Sequence, residues 1–378
     1  MRVLITCTSL APAYGGPAFS VSRLGTALGE AGAEVGLWSA DDSTSATPLL
    51  AAGAPVRRLD GDLDEALRRF GPDVVHDNGL WLPHNHQVAR LAADAGIPRV
   101  VSTRGMLAPW ARAHKRWKKT AAWRLYQRGD LQRADALHAT APPEADDLAA
   151  LKLGPAITTI PNGTDLPPPR AVAANAAPSG DRTALFLGRI YPVKGLPMLI
   201  EAWAQVRPAG WRLVIAGPDE AGHQREVERA VAAAGLSDVV SFPGAVLGDE
   251  KARLFQSAAL CAAPSLSESF GMAVAEALSY GLPVLTTTAA PWPELETKRC
   301  GWRTAPSADA LAVALRQATA LSPLTLAAMG AAGRELIAAE FGWDRIAARF
   351  LDLYEGLTAS GAGEPGALRL AAGAEGPV

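Results

Sequence analysis

Short apolar stretches alternate with amphipathic helical stretches along most of the chain. In the first half, the runs Arg2–Thr6 and Glu34–Ser39 have the length and composition of buried parallel strands, and helical patterns cover Ala18–Ala31 and Leu63–Phe70. The same alternation starts again at Ala184–Leu187. This order of elements predicts an α/β protein with parallel sheets that carry helices on both faces.

The remaining elements divide the chain into two similar halves. Further strands are predicted at 56–59, 73–76, 99–102, 137–140, 156–160, 213–216, 239–242, 258–263 and 283–286, and further helices at 87–95, 196–206, 272–278, 308–318, 324–339 and 343–357. A length of 378 residues suits two domains. We therefore predict domains at 1–166 and 183–342, a proline- and alanine-rich linker at 167–182, and a disordered Gly/Ala/Pro-rich tail at 359–378.

The stretch P-S-L-S-E-S-F-G, which begins at Pro264, joins a predicted strand to a predicted helix. Such a junction presents backbone N–H groups and the positive end of a helix dipole. We therefore expect Ser269, Phe270 and Gly271 to hold a phosphate group, and Glu268 in the same loop to reach the same ligand.

Glu276 is the one charged residue in the apolar helical turn that follows. A carboxylate in such a place needs a partner. The two hydroxyls of a ribose would satisfy both of its oxygens, so we expect Glu276 to bind a ribose.

The complete motif P-S-x-x-E-x-F-G-x-x-x-x-E-A-x-x-x-G-x-P-V, with Glu268 and Glu276 as its two acidic residues, resembles the Glu-x7-Glu signature of retaining glycosyltransferases of family 4. The resemblance covers the chain to about Leu357. It implies the GT-B fold, in which two Rossmann-like domains face a cleft and a C-terminal helix, here 343–358, crosses back to the first domain. It also implies a donor nucleotide on the second domain and an acceptor on the first.

Arg189 and Lys194 leave the predicted strand 184–187 in the loop Gly-Arg-Ile-Tyr-Pro-Val-Lys-Gly. In the family, Gly-Arg followed by Lys-Gly at this place binds the donor's diphosphate. Two fixed cations would stabilise the departing diphosphate as Mg²⁺ does elsewhere. We therefore expect a nucleoside-diphosphate sugar of the UDP or GDP type, with Glu268 on a sugar hydroxyl and neither metal nor other cofactor.

The first half supplies candidates for the acceptor side. Gly15 and Gly16 follow the first strand and form either a tight turn or a loop that approaches the sugar closely. They lack the G-x-G-x-x-G spacing, which disfavours a nicotinamide or flavin cofactor. Asn78 and Trp81 follow a predicted strand end, where a parallel sheet builds its cleft, and are acceptor-pocket candidates.

Arg104 stands where many members of the family carry a histidine close to the sugar. An arginine would hold a phosphate or an acidic sugar, but it does not act as a base. His114 is the nearest histidine downstream and is the alternative for that role.

Charge and composition exclude several classes of protein. A net charge of −2 argues against a nucleic-acid binder, and the three scattered cysteines favour neither a disulfide framework nor a zinc site. His84 and His86 are two residues apart and would diverge on a helix, and Asp60-Gly-Asp62 reads as a turn and helix cap, so we expect no metal site. The short apolar N-terminus and the absence of a long uncharged stretch predict a cytoplasmic protein.

The segment from Arg112 to Arg133 carries eight basic residues against Asp130, with Trp110, Trp117, Trp123 and Tyr126 interleaved. It is either a solvated helix whose aromatic residues pack on the sheet or a surface that contacts an anionic membrane. A lipid-linked acceptor in bacterial surface polysaccharide synthesis would suit the second, at the inner face of the plasma membrane.

Two other functions fit the same sequence features. One is a nucleotide-sugar epimerase of this fold, which needs no acceptor. The other is a non-enzymatic two-domain sugar-binding protein, against which the cationic pair Arg189 and Lys194 weighs.

Overall fold

The computed structural model describes residues 1–113, 116–168 and 182–360, and it contains two parallel sheets. The first has seven strands, β1 Arg2–Cys7, β2 Glu34–Ser39, β3 Val56–Leu59, β4 Val74–Asn78, β5 Arg99–Ser102, β6 Ala136–Ala139 and β7 Ala156–Thr159. Their spatial order is β3-β2-β1-β4-β5-β6-β7. The order reverses between β1 and β4, so the ends of these two strands open a cleft.

The second sheet repeats this plan with six strands, β8 Arg182–Leu187, β9 Trp211–Ala216, β10 Val240–Gly244, β11 Leu260–Ala263, β12 Val284–Thr287 and β13 Gly301–Thr304. Their order is β10-β9-β8-β11-β12-β13, with the reversal between β8 and β11. The predicted parallel α/β architecture with two sheets is confirmed. Sequence reasoning missed β13 because Gly-Trp-Arg-Thr contains no apolar run.

Helices cover both faces of each sheet. Those of the first half are α1 Gly16–Glu30, α2 Leu63–Phe70, α3 Pro83–Asp94, α4 Pro109–Ala113, α5 Arg116–Ala122, α6 Arg128–Gln132 and α7 Pro142–Ala150, with a π-helical turn at Trp123–Gln127. Those of the second half are α8 Leu196–Val206, α9 Gln224–Ala233, α10 Gly248–Ser257, α11 Met272–Ser279, α12 Glu294–Thr297, α13 Ala308–Ala320, α14 Pro323–Glu340 and α15 Trp343–Ser360.

Local sequence explains several helix ends. Asp62 caps α2, since its carboxylate accepts hydrogen bonds from the backbone N–H groups of Asp64 and Glu65 at 3.0 and 3.1 Å. The Asp60-Gly-Asp62 turn therefore serves a helix, as predicted. Helix α1 begins two residues earlier than predicted, at Gly16, because Pro17 fits the first turn of a helix.

The last helix, α15, belongs to the core of the first half. Ile346, Phe350 and Tyr354 are buried together with Val21 and Leu28 of α1. Gly163 lies against Trp343 so closely that a Cβ atom there would meet the indole ring at 2.3 Å. The chain thus returns to its first sheet after completing the second, and the predicted crossing of the C-terminal helix is confirmed.

Several predictions concern parts that the structure leaves out or only partly describes. Most of the predicted linker, residues 169–181, and nearly all of the predicted tail, residues 361–378, lie outside the described residues. Within the described ranges, no single helix is long and apolar enough to cross a membrane, and one helix pair bent by 112° passes that test only jointly. The three cysteines are free and buried.

Candidate active site

A small pocket opens at the carboxyl ends of the strands of the second sheet, at the reversal between β8 and β11. Its wall is built by the loops after these two strands and by the start of α11. The lining residues include Leu187, Lys194, Ser265, Glu268, Gly271 and Val274. Four of these six belong to the two loops that the sequence singled out.

The loop after β11 is fixed by hydrogen bonds to its neighbours. The Leu266 N–H donates to the Val193 carbonyl at 2.7 Å, and the Glu268 N–H donates to the Ala289 carbonyl at 3.2 Å. Phe270 anchors the loop in a buried aromatic cluster, where the indole N–H of Trp292 donates to the Phe270 carbonyl at 2.5 Å. The loop that carries Glu268 is therefore rigidly placed.

Gly271 ends this loop in a left-handed conformation, with φ of +86°, and α11 begins at the next residue. An L-residue rarely adopts this conformation, and a Cβ atom there would lie 3.2 Å from the Trp292 indole nitrogen. The first turn of a helix has backbone N–H groups without partners within the helix. Ser269, Phe270 and Gly271 thus lead into a helix N-terminus beside the pocket, as expected.

Lys194 and Glu268 meet inside the pocket. Lys194 ends a short 3₁₀ turn, Pro192–Lys194, and its Nζ lies 2.5 Å from Oε1 of Glu268. The Ser265 hydroxyl donates to the same oxygen at 2.7 Å. Gly195 permits the close approach of the two loops, because a Cβ atom there would lie 2.2 Å from the Pro264 carbonyl oxygen. Both charged side chains are less than 20 % exposed, at 19 and 18 %.

Arg189 lies at the edge of the cleft and forms an ion pair with Glu220, a residue of the loop after β9. The two side chains are 42 and 40 % exposed. Gly15 of the first domain faces Arg189, since a Cβ atom on Gly15 would lie 3.5 Å from the Arg189 Cδ. Gly16 similarly faces Met272 at the start of α11. The glycine loop and the predicted phosphate-binding residues therefore meet across the cleft.

Glu276 has a protein partner that sequence reasoning missed. Its Oε1 lies 2.5 Å from Nζ of Lys251, a residue of α10, and both side chains are largely buried. Lys251 also lies over the ring of Phe19 on α1, 5.4 Å from the ring centroid. Among the described residues, the second carboxylate oxygen of Glu276 accepts no hydrogen bond. The two glutamates of the motif thus pair with different lysines and not with each other.

Arg104 lies on the first-domain side of the cleft, where it joins three segments. Its Nε and Nη2 donate to Oδ1 of Asn78 at 3.1 and 2.6 Å. Its Nη1 donates to the Ser20 hydroxyl at 3.2 Å and to Oδ1 of Asn162 at 2.8 Å. Burial lowers the pKa of Arg104 to about 10, so the side chain remains charged at neutral pH.

Glu144 at the start of α7 holds the loop around Arg104 in place. Its buried carboxylate accepts from the Thr103 hydroxyl at 2.6 Å, from the Gly105 N–H at 2.5 Å and from the Thr140 N–H at 2.7 Å. Gly105 touches the second domain, since a Cβ atom there would lie 2.9 Å from Cβ of Ser269. The Thr140 hydroxyl lies 2.7 Å from Oε2 of Glu144, to which it donates, and 3.1 Å from the Ser269 carbonyl oxygen. The two domains therefore meet beside Glu268.

Asn78 and Trp81 lie apart from each other. The Asn78 amide is buried between Arg104 and the backbone carbonyls of Thr6 and His76. Trp81 instead packs against Trp123, and its carbonyl accepts from the Tyr126 hydroxyl at 2.5 Å. Trp81 therefore packs against the basic segment and is not part of the Arg104 cluster. His114 lies outside the described residues.

In the basic segment, some aromatic residues are packed and others are exposed. Trp123 and Tyr126 pack against Trp81 and His86. Trp117 is 74 % exposed and Leu125 is 80 % exposed. Trp117, whose helix α5 has no buried residue, therefore does not fit the first of the two alternatives, a solvated helix whose aromatic residues pack on the sheet.

A buried hydrogen-bond chain, not predicted from the sequence, links α15 to the first sheet. Tyr354, His76, Ser102 and His138 are joined in that order by contacts of 2.6, 2.6 and 2.5 Å, and His138 Nε2 donates to the Ile160 carbonyl at 2.7 Å. Because the carbonyl only accepts, His138 Nε2 carries a hydrogen. With both imidazoles neutral, His138 Nδ1 then accepts from Ser102, Ser102 accepts from His76, and His76 accepts from Tyr354. Burial lowers the pKa of His138 to about 4 and that of His76 well below its usual range.

Comparison with known families covers both halves of the chain. Residues 15–163 match the glycosyl transferase 4-like domain, and residues 181–320 match the glycosyl transferases of group 1. A D-inositol 3-phosphate glycosyltransferase of Gordonia bronchialis is 31 % identical, with 90 % of this chain and 83 % of that protein covered. The chain belongs to glycosyltransferase family 4. The resemblance carried by Glu268 and Glu276 is thereby confirmed at the level of the family.

Other relatives of this family 4 glycosyltransferase differ in their substrates. A GDP-mannose:cellobiosyl-diphosphopolyprenol alpha-mannosyltransferase of Xanthomonas campestris is 29 % identical over 75 % of this chain and 73 % of its own length. The names of relatives in one family thus specify quite different acceptors.

Solved structures show the same fold. Sucrose-phosphate synthase of Thermosynechococcus elongatus has a TM-score of 0.78 at 22 % identity, with 95 % of this chain and all of that chain covered. Anabaena HepE, solved in complex with UDP-glucose, has a TM-score of 0.73 at 19 % identity, with 94 % of this chain and all of that chain covered. The predicted GT-B fold is confirmed. Family membership favours a transferase over the epimerase and the sugar-binding protein.

Proposed function

We propose that this glycosyltransferase moves a hexose from a nucleoside diphosphate to a hydroxyl of a glycan or lipid-linked acceptor, with retention at the anomeric carbon. The observation that carries the proposal is the Lys194–Glu268 pair, which lies in a pocket beside the N-terminus of α11. A lysine, a carboxylate and a helix N-terminus offer a diphosphate and a sugar hydroxyl complementary partners in one place.

The donor proposed is of the UDP or GDP type. Support comes from HepE, whose structure contains UDP-glucose, and from the Xanthomonas relative, whose name specifies GDP-mannose. Lys194 and Arg189 would neutralise the diphosphate, and Glu276 would hold the ribose through the carboxylate oxygen that Lys251 leaves open. Such fixed cations perform the charge stabilisation that a divalent ion supplies elsewhere, so we propose a reaction without metal.

The chemistry proposed takes place on one face of the sugar. The bond between the anomeric carbon and the β-phosphate oxygen breaks, and the acceptor oxygen forms its bond from the same side. The departing phosphate oxygen takes the proton of the acceptor hydroxyl. Glu268 holds a sugar hydroxyl and Lys194 stabilises the developing negative charge, so neither has to act as a base.

The proposed setting is the inner face of a bacterial plasma membrane, in surface polysaccharide synthesis. The exposed Trp117 and Leu125, together with the basic residues around them, support contact with anionic lipid. The Xanthomonas relative is named for a polyprenol-linked acceptor. Trp110 of the same segment packs edge-on against Tyr191, two residues after Arg189, which would bring a lipid-linked acceptor close to the donor loop.

A screen of nucleotide sugars tests the proposal. UDP or GDP should raise the melting temperature and bind in calorimetry, and one nucleotide sugar should be hydrolysed slowly without an acceptor. Activity should survive a chelator such as EDTA. Conversion of donor alone into an epimeric nucleotide sugar, loss of turnover with EDTA, or indifference to every nucleoside diphosphate would each contradict the proposal.

A further inference from the structure

We propose that Arg104 binds an oxyanion of the acceptor, a phosphate or a carboxylate, on the first-domain side of the cleft. The inference rests on the proposed glycosyl transfer and adds the chemical class of the acceptor. It begins from the partners of Arg104, which are all uncharged: Asn78, Ser20 and Asn162.

Arg104 differs from the other cations around the cleft in its partners. Lys194, Arg189 and Lys251 each pair with a carboxylate. Within residues 1–113, 116–168 and 182–360, no ion pair of Arg104 is found, although the side chain is partly buried and the negative charge of Glu144 acts on it. A partly buried cation that forms no direct ion pair has room for a ligand anion as its paired partner, and direct contact with that anion would stabilise its charge.

The backbone at Arg104 is strained. Its φ of +52° lies in the left-handed region, which a residue with a long side chain rarely adopts. Glu144 enforces this conformation through the hydroxyl of Thr103 on one side and the N–H of Gly105 on the other. Strain of about 1 to 3 kcal/mol that the surroundings enforce is a recurrent feature of ligand sites.

The position of Arg104 distinguishes the acceptor's anion from the donor's. Gly105 touches Ser269, the neighbour of Glu268, so the strained loop borders the pocket. Ser20 belongs to α1, which begins at the glycine loop facing Arg189. The donor's diphosphate already has Arg189 and Lys194 on the second domain, so a third cation on the opposite domain, which forms no ion pair of its own within the described residues, is suited to a different anion.

The competing interpretation is purely structural, with Arg104 joining three loops and binding nothing. Three variants separate the two. Arg104→Gln removes the charge, Arg104→Lys keeps it but loses the forked geometry, and Arg90→Gln removes an exposed charge elsewhere on the same domain.

The test is calorimetric titration of inorganic pyrophosphate into protein already saturated with UDP. We expect the wild type to bind pyrophosphate under these conditions, Arg104→Gln to bind at least tenfold more weakly, Arg104→Lys to lie between them, and Arg90→Gln to match the wild type. The affinity for UDP alone should be unchanged in all three variants, which tests the proposed donor site separately.

Three outcomes would overturn the inference. A wild type that binds no pyrophosphate once UDP is present has no second anion site. Equal loss of UDP and pyrophosphate affinity in Arg104→Gln would assign Arg104 to the donor's diphosphate. A lower melting temperature with unchanged pyrophosphate affinity would show that Arg104 only joins the loops.

Discussion

The two sides of the cleft hold their charges in different ways. On the second domain, Lys194, Arg189 and Lys251 form ion pairs with Glu268, Glu220 and Glu276. On the first domain, Arg104 contacts amides and a hydroxyl, and a buried chain of neutral histidines lies behind it. The cations on the second domain are thus each paired with a carboxylate, whereas Arg104 on the first domain forms no ion pair within the described residues.

This difference has a consequence for binding. A diphosphate that enters the donor side must compete with carboxylates for Arg189 and Lys194, so part of its binding energy separates existing pairs. An anion that approaches Arg104 displaces no carboxylate. We therefore expect substitutions on the donor side to change turnover or donor binding and those behind Arg104 to act on stability.

The largest effect is expected for Lys194→Ala. Removing one preorganised cation from a developing oxyanion costs about 100- to 1,000-fold in kcat, while acceptor binding should change little. Initial rates at saturating donor and acceptor measure it. Lys298→Ala, an exposed lysine of the same domain, serves as the control. Unchanged turnover in Lys194→Ala would contradict the assignment of Lys194 to the diphosphate. It would also contradict the proposed difference between the two sides of the cleft.

The placement of the loops on the proposed donor side could be predicted because their residues are close together in sequence. Glu268, Ser269 and Gly271 lie within one strand–loop–helix junction, and Arg189 and Lys194 follow the next strand of the same sheet. Patterns of buried strands place such loops at one edge of a sheet without further information. Most strands of both sheets and the helix α15 follow from the same periodicity, whereas the return of α15 to the first domain is implied by the family resemblance.

Partners contributed by other segments could not be predicted. Lys251 stands among Asp249, Glu250 and Arg253 in an ordinary charged helix, so nothing in the sequence marks it as the partner of Glu276. Arg104 is assembled with residues 84, 26 and 58 positions away. Long-range contacts of single side chains depend on packing that no local pattern encodes.

The next largest effect is expected for Glu276→Gln. A carboxylate that accepts from two ribose hydroxyls contributes charge-assisted hydrogen bonds, and its loss should weaken UDP or GDP binding by about 10- to 100-fold. Calorimetry measures the change. Pyrophosphate, which lacks a ribose, is the control ligand and should bind the variant as it binds the wild type. An equal loss for both ligands would mean that Glu276 acts through Lys251 and not through the ribose.

On the acceptor side, His138→Gln should change the pH dependence of stability. His138 has a folded-state pKa of about 4 and an ordinary value near 6.5 when unfolded, so the unfolded state binds the extra proton between these values. Its contribution is complete well above pH 6.5 and is lost as the pH falls, by about 2 kcal/mol from pH 8 to 5. The variant should lose this part of the pH dependence, which corresponds to about a 30-fold change in the unfolding constant.

The comparison of wild type and variant is needed because another buried group has the opposite sign. Burial raises the pKa of Asp77 to about 6, so its protonation stabilises the folded state as the pH falls below 6. This contribution is common to both proteins and cancels in their difference. Chemical denaturation at pH 7, 6 and 5 measures the slopes. Parallel curves for the two proteins would show that the histidine chain is not neutral.

The smallest effect is expected for Glu220→Gln, and it tests the pairing of Arg189 on the donor side. The ion pair with Arg189 is about two-fifths exposed, and such pairs contribute only about 0.2 to 1 kcal/mol. Freeing Arg189 and removing a negative charge beside the diphosphate should lower the KM for the donor by about threefold, with kcat unchanged. Glu335→Gln, an exposed glutamate on α14, is the control. A higher KM would mean that Glu220 positions Arg189 for the diphosphate and does not compete with it.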